Sequence, residues 1–180
     1  MPDLIKETLE RIQAHVIPEV SLDNSAIAPA YGGLSLLNLP GSLARWLGAP
    51  PLPHPAIDLP MLDSLAENVD QVVMVLVDAL GLDQFMDWLQ GPASQFQTHI
   101  QHGLLAPLTS VVPSTTSTAL TTLWTGRSPI EHGILGYELY LKEFGLVANM
   151  ITHNPAAILQ GGGLLYQAGM DPTTFLPVKP

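Results

Sequence analysis

The segment Gln71-Val-Val-Met-Val-Leu-Val-Asp78 constrains this chain more than any other. Branched and apolar residues fit a pleated backbone. A run of them without polar alternation reads as a strand buried on both faces, the pattern of a parallel sheet. Asp78 and Gly81 close the run, and Leu82, Phe85, Met86 and Leu89 then fall on one face of a helix that Gly91-Pro92 stops. A second unit repeats the order. Leu104 to Val112, interrupted by Pro107, reads as a strand, and the stretch from Pro113 opens a helix with Ala119, Leu120, Leu123 and Trp124 on its apolar face. Gly126 and Pro129 end that helix. Strands alternating with helices predict an α/β fold built on a mostly parallel sheet with helices on both faces. Tyr137 to Leu141 and Leu146 to Ile151, separated by Lys-Glu-Phe-Gly, predict a β-hairpin.

The N-terminal third has another character. Ile5, Leu9, Ile12 and Val16 mark an amphipathic helix over residues 3 to about 16, and Pro18 ends it. A Gly- and Pro-rich stretch follows from Pro29 to Pro60, with a short predicted helix from Ser42 to Leu47 capped by Ser42. Residues 1–65 are therefore expected to form an arm that packs on, or covers, an α/β domain spanning 66–180. A second helical stretch is expected from Ala93 to Gln101, and one short helix in the tail after Gly161.

Charge and composition narrow the function classes. The 180 residues include 6 Lys and Arg against 16 Asp and Glu, for a net charge of −10. So few cations exclude a nucleic-acid groove, which needs clustered Lys and Arg, and a polybasic membrane anchor. The absence of cysteine excludes disulfides, thiolate metal sites and Cys nucleophiles. The apolar run ends after six residues at Val77, far short of the roughly 20 needed to span a bilayer. The N-terminus is charged without a following apolar signal core, which points to the cytoplasm. Nothing in the sequence fixes the oligomeric state.

Three places carry polar chemistry. Asp78 follows the apolar run, at the strand end where open α/β sheets place ligands. It either binds a ligand or caps the helix starting near Gly81. Pro113-Ser114-Thr115-Thr116-Ser117-Thr118 puts five hydroxyls in a row at a helix start. Free N–H groups and the helix dipole favour an anion there, although Ser and Thr are also ordinary caps. Pro129-Ile130-Glu131-His132-Gly133 follows the helix, and a lone His in such a place is commonly structural. The other histidines, His15, His54, His99, His102 and His153, lie apart and suggest no role.

Taken together and in order, these motifs resemble the alkaline phosphatase superfamily, and within it the type I phosphodiesterase/nucleotide pyrophosphatase family. The residues that carry the resemblance are Val77-Asp-Ala-Leu-Gly81, Pro113-Ser-Thr-Thr116 and Thr125-Gly-Arg-Ser-Pro-Ile-Glu-His-Gly-Ile134, covering residues 70 to 136. The resemblance implies a hydrolase of small-molecule phosphoesters with two divalent metal ions, usually zinc. Asp78 matches the first metal-binding aspartate. Thr116 matches the nucleophile, which also ligates metal, so a covalent phospho-threonine intermediate is implied. Both side chains are then expected within about 7 Å of each other, on one metal at about 2 Å. Ala119 stands where many eukaryotic members carry an Asn that contacts a phosphate oxygen.

No Asp here is followed by His at +1 or +4, the pairs with which the family completes its metals. The chain therefore reads as the N-terminal part of a longer enzyme, its sheet incomplete at the C-terminus. The leading expectation is hydrolysis of phosphodiesters or nucleotide pyrophosphates. The alternatives are a phosphomonoesterase, sulfatase or phosphonate hydrolase, and a truncated or degenerate module that binds an anion without chemistry.

Overall fold

The computed structural model describes residues 4–23, 26–67, 69–91, 95–157 and 163–178. Two helices open the chain order, α1 (Leu4–Gln13) and α2 (Leu39–Trp46), followed by α3 (Pro60–Leu65), α4 (Leu82–Leu89) and α5 (Phe96–His102). Next come α6 (Thr116–Thr125) and α7 (Pro129–His132), then a hairpin of β1 (Glu138–Leu141) and β2 (Leu146–Asn149). A short 3-10 turn over Leu165–Ala168 stands in the tail, where one short helix is expected. The expected helix from Ala93 overlaps α5, with its first residues outside the described ones.

The termini of these elements follow local chemistry. Gly126 ends α6 at φ +61, the left-handed conformation that glycine enters freely. A Cβ there would also lie 2.7 Å from Leu52 Cδ1, so a larger residue would have to push aside the Leu52 side chain of the Pro-rich arm. The predicted short helix starts three residues earlier than expected, at Leu39, with Pro40 in a first turn where its missing N–H breaks no bond. Ser42 consequently lies inside α2 rather than capping it. Its buried hydroxyl accepts the Ile57 N–H at 2.9 Å.

Mixed α/β content is present, but among the described residues the one sheet is antiparallel and two-stranded: Glu138 pairs with Asn149 and Leu141 with Leu146. The expected mostly parallel sheet is not seen among the described residues. Residues 71–77 form no strand, and among the described residues no backbone bond joins them to a neighbouring segment. Val73 is 87% exposed and Val75 81%. Leu104 to Val112 forms no strand either, only a parallel bridge from Thr109 to Ser35. Branched apolar residues dictate extended backbone, whereas pairing depends on a neighbour's register, which composition does not encode.

Burial instead gathers in two clusters. One joins the arm to the middle of the chain: Ile12, Ala30, Leu34, Ile57 and Leu59, with Leu39, Leu62, Ala106 and Leu108 packed against them. The other lies under the hairpin and holds Ile134, Leu141, Ala148, Met150, Leu165 and Met170.

Hydrogen-bonded polar side chains brace the arm internally and fasten it to the segment that leads into α6. Asn38 is buried, donates to the Tyr31 and Pro55 carbonyls at 2.8 and 2.9 Å, and accepts the Ser35 N–H. Thr109 Oγ1 accepts the Ala30 N–H at 2.9 Å and donates to the Leu34 carbonyl at 3.1 Å. Tyr31 Oη accepts the Val112 N–H at 3.0 Å. Asn38 and Thr109, both buried, hold position because losing a partner leaves the other unpaired.

A third tie is electrostatic. His54 Nε2 lies 2.6 Å from Glu131 Oε2, which also accepts the Ser128 hydroxyl and N–H, while Arg127 reaches Glu131 Oε1 at 3.4 Å. The Ser128 hydroxyl, helped by His54 and the Ser128 N–H and opposed by partial burial, lowers the Glu131 pKa from 4.5 to about 2. A carboxyl with a depressed folded pKa stabilises fully above its unfolded value. That contribution is lost as pH falls from 4.5 through about 2. Ser128→Ala is expected to raise the folded Glu131 pKa back toward 4.5, so the stability it removes is greatest above pH 4.5, read as a lower urea midpoint at neutral pH with a smaller change near pH 3.

Candidate active site

Asp78, at the end of the Val72–Val77 segment, is exposed beside the start of α6. Thr115 is the N-cap of α6 and Thr116 its first helical residue. The Thr116 hydroxyl donates to Asp78 Oδ2 at 3.0 Å, well inside the expected separation. Asp78 Oδ1 accepts the N–H of the next residue, Ala79, at 2.9 Å. The reading of Asp78 as a cap does not hold: α4 is preceded by Gly81 and has no side-chain cap bond.

The remaining hydroxyls of the motif divide by burial. Ser117 is 2% exposed and donates to the Gly136 carbonyl at 2.8 Å, and Thr118 is fully buried. Thr115 turns sideways onto Thr118 at 2.9 Å and Ser117 at 3.3 Å, so it caps no amide of α6. Intrahelical bonding begins with the Ala119 N–H on the Thr115 carbonyl. The first-turn amides of α6 thus form an uncapped, positively polarised end around Thr116. A cavity of about 570 Å³ opens at this point, lined by Asp78, Ser114, Thr116 and Ala119 and by the apolar Leu36, Val77, Leu108 and Leu120.

His132 is structural. It is 1% exposed, its Nδ1 accepts the Ile134 N–H at 3.1 Å, and its Nε2 lies 3.0 Å from the Thr122 hydroxyl. With Nδ1 accepting, the proton sits on Nε2 and is donated to Thr122. Burial pushes its pKa below 6.5, against a smaller opposing pull from the Glu131 charge. This bond fixes α7 to α6. His54, given no role by its isolation in sequence, is the residue whose part was missed: its partner Glu131 lies 77 positions away.

The motifs, their order and their spatial meeting agree with one comparison. The family model for type I phosphodiesterase/nucleotide pyrophosphatase matches residues 72–174, more than half of the chain. The chain belongs to this family. The match reaches beyond the motifs, through the hairpin and into the tail. Searches of curated proteins and of solved structures return no match.

Membership makes a phosphodiesterase- or pyrophosphatase-type hydrolase the activity class. No helix among the described residues is long and apolar enough to cross a membrane. For a divalent cation, Asp78 and Thr116 are of the right kind, two oxygen donors at one point. Their number falls short, since a catalytic zinc takes three protein ligands. Among the described residues no group of three His, Cys, Asp or Glu stands close enough to hold an ion.

Proposed function

We propose that this chain carries the nucleophilic half of a metal-dependent phosphoester hydrolase, with Thr116 as nucleophile and Asp78 as its partner carboxylate. The 3.0 Å bond between Thr116 Oγ1 and Asp78 Oδ2, at an uncapped helix start, supports this reading above all others. In the reaction Thr116 Oγ1 bonds to phosphorus and the ester alcohol leaves. Water then cleaves the phospho-threonine and restores the hydroxyl. The Thr116 proton is held toward Asp78 Oδ2, which leaves an oxygen lone pair free for the substrate. The first-turn amides of α6 face the phosphoryl oxygens and stabilise their charge.

Two divalent ions, zinc in the usual members of the family, are part of the proposal. Asp78 and Thr116 are the donors this chain offers to one of them, and a bound cation lowers the hydroxyl pKa and neutralises phosphate charge. Small phosphodiesters or nucleotide pyrophosphates are the proposed substrates. A module that binds an anion without chemistry is a weaker reading, because a bare carboxylate 3.0 Å from Thr116 repels the anion such a module would hold.

Acid quenching during turnover of bis(p-nitrophenyl) phosphate with zinc present, followed by peptide mapping, tests the covalent step. The expected product is a p-nitrophenyl phosphate ester on Thr116. Turnover without any adduct means that water attacks phosphorus directly.

A further inference from the structure

The cavity at Thr116 is more apolar than phosphate chemistry requires. Thr116, Ala119, Leu120 and Leu123 stand at i, i+3, i+4 and i+7 of α6, so one helix face runs from the proposed nucleophile into aliphatic surface. The arm adds Leu36 to the lining, held by its N–H bond to the Thr109 carbonyl at 2.9 Å. A second cavity of about 640 Å³ adjoins the first: Val77, Leu80, Leu108 and Ser114 line both, and its walls include Ile12 of α1 and Phe85 of α4.

Among the described residues, Asp78 is the one charged side chain that lines either cavity. Arg11, Arg45 and Arg127 line neither and are bonded to Asp58, Asp63 and Glu131. The Thr109 hydroxyl, though in the lining, is already engaged by the Ala30 N–H and the Leu34 carbonyl. A nucleotide pyrophosphate is poorly matched to such walls. Its second phosphate would meet a carboxylate and no cation. Its base would give up water on several donors and acceptors with few groups to replace it. A hydrocarbon group loses nothing on entry and gains by leaving water.

We infer that the cavity beside Thr116 takes an uncharged, apolar ester group, so that the substrate is a phosphodiester monoanion carrying an alkyl chain or similar hydrocarbon. The inference rests on the reading of Thr116 and Asp78 as the reacting pair and narrows the substrate of that same site. The phosphate lies at the start of α6, and the hydrocarbon follows the Leu120 face away from it.

Calorimetric titration of the whole protein with zinc present tests this through three ligands: dimethyl phosphate, octyl methyl phosphate and the methyl ester of thymidine 5′-phosphate. All are monoanionic diesters, and alkoxide leaving groups keep them intact during the measurement. Each buried methylene is worth about 4-fold in affinity, so the octyl ester is expected to bind at least about 100-fold more tightly than dimethyl phosphate. The thymidine ester should stay within about 3-fold of dimethyl phosphate. Leu120→Asn should cut the octyl-to-dimethyl ratio by about 10-fold or more. Should that variant fail to fold, Leu36→Asn on the arm carries the same expectation. A wild-type ratio near one, or a thymidine ester that binds as tightly as the octyl ester, overturns the inference. So does a ratio unchanged in the Asn variants, which puts the chain elsewhere on the protein. Hydrolysis of bis(p-nitrophenyl) phosphate by the wild type and by Thr116→Ala is read separately. Equal turnover by the two, or none by the wild type, overturns the functional reading, while the affinities still decide what the cavity prefers.

Discussion

Thr116→Ala is expected to lower kcat for phosphodiester hydrolysis by at least about 1000-fold, because Thr116 carries the hydroxyl that is bonded to Asp78. Ser117 and Thr118 are buried and Thr115 turns onto them, so none can take over the attack without moving the helix end. Folding should be almost indifferent. The Thr116 hydroxyl bonds Asp78 rather than a helix amide, so its loss removes no cap and should change stability by no more than about 0.5 kcal/mol. Thr116→Ser keeps the nucleophilic oxygen and should keep part of the activity. Ser117→Ala offers the opposite profile: it strands the Gly136 carbonyl and should destabilise by about 1 kcal/mol. Steady-state kinetics beside urea titrations would separate these variants. Full activity in Thr116→Ala would refute the assignment.

His132→Ala is expected to be the most damaging single change to stability, at about 3 kcal/mol. A buried ring is removed, leaving a cavity, and both the Thr122 hydroxyl and the Ile134 N–H lose their partner. For a chain of this length that corresponds to roughly 6–12 °C in Tm. The pH dependence gives an independent check. His132 has a folded pKa depressed by burial, so its native environment favours the neutral ring. Stability is then fully present above the unfolded value of 6.5 and falls as pH drops below it, because the unfolded chain takes up the proton first. The alanine variant should lose that component of the slope. Urea unfolding at pH 7.5 and near pH 5.5 would show it, and an unchanged slope would contradict the buried neutral ring.

Local features of the chain were legible where a signal lies within one turn or one hairpin. The spacing of Leu82, Phe85, Met86 and Leu89 gave α4, and Gly126 gave the end of α6. The alternating pair around Lys142 to Gly145 gave β1 and β2 to within two residues. The motif order also brought Asp78 and Thr116 to one place, because each sits at a junction that backbone periodicity locates. What escaped was whatever depends on a distant partner. Val72 to Val77 announced extension but not its pairing, so the parallel sheet was inferred from a pattern that only required a strand-like backbone. Asn38, Ser42, Thr109 and His54 are ordinary polar residues in sequence. Their importance comes from carbonyls, amides and a carboxylate supplied by other segments.

The fastenings between the arm and the α6 region share a span that matters while the chain is being made. Ala30 to Thr109, Tyr31 to Val112 and His54 to Glu131 are separated by 79, 81 and 77 residues. No arm residue can reach its partner until the ribosome has added that length, which takes about 4–16 s at roughly 5–20 residues per second. Throughout that interval Leu34, Ile57 and Leu59 have no Ala106 or Leu108 to pack against. Joining them afterwards closes a long loop, the kind of step that slows folding. The nascent arm is thus the stretch of this chain with the longest wait in search of its contacts, and the one most open to a chaperone during synthesis.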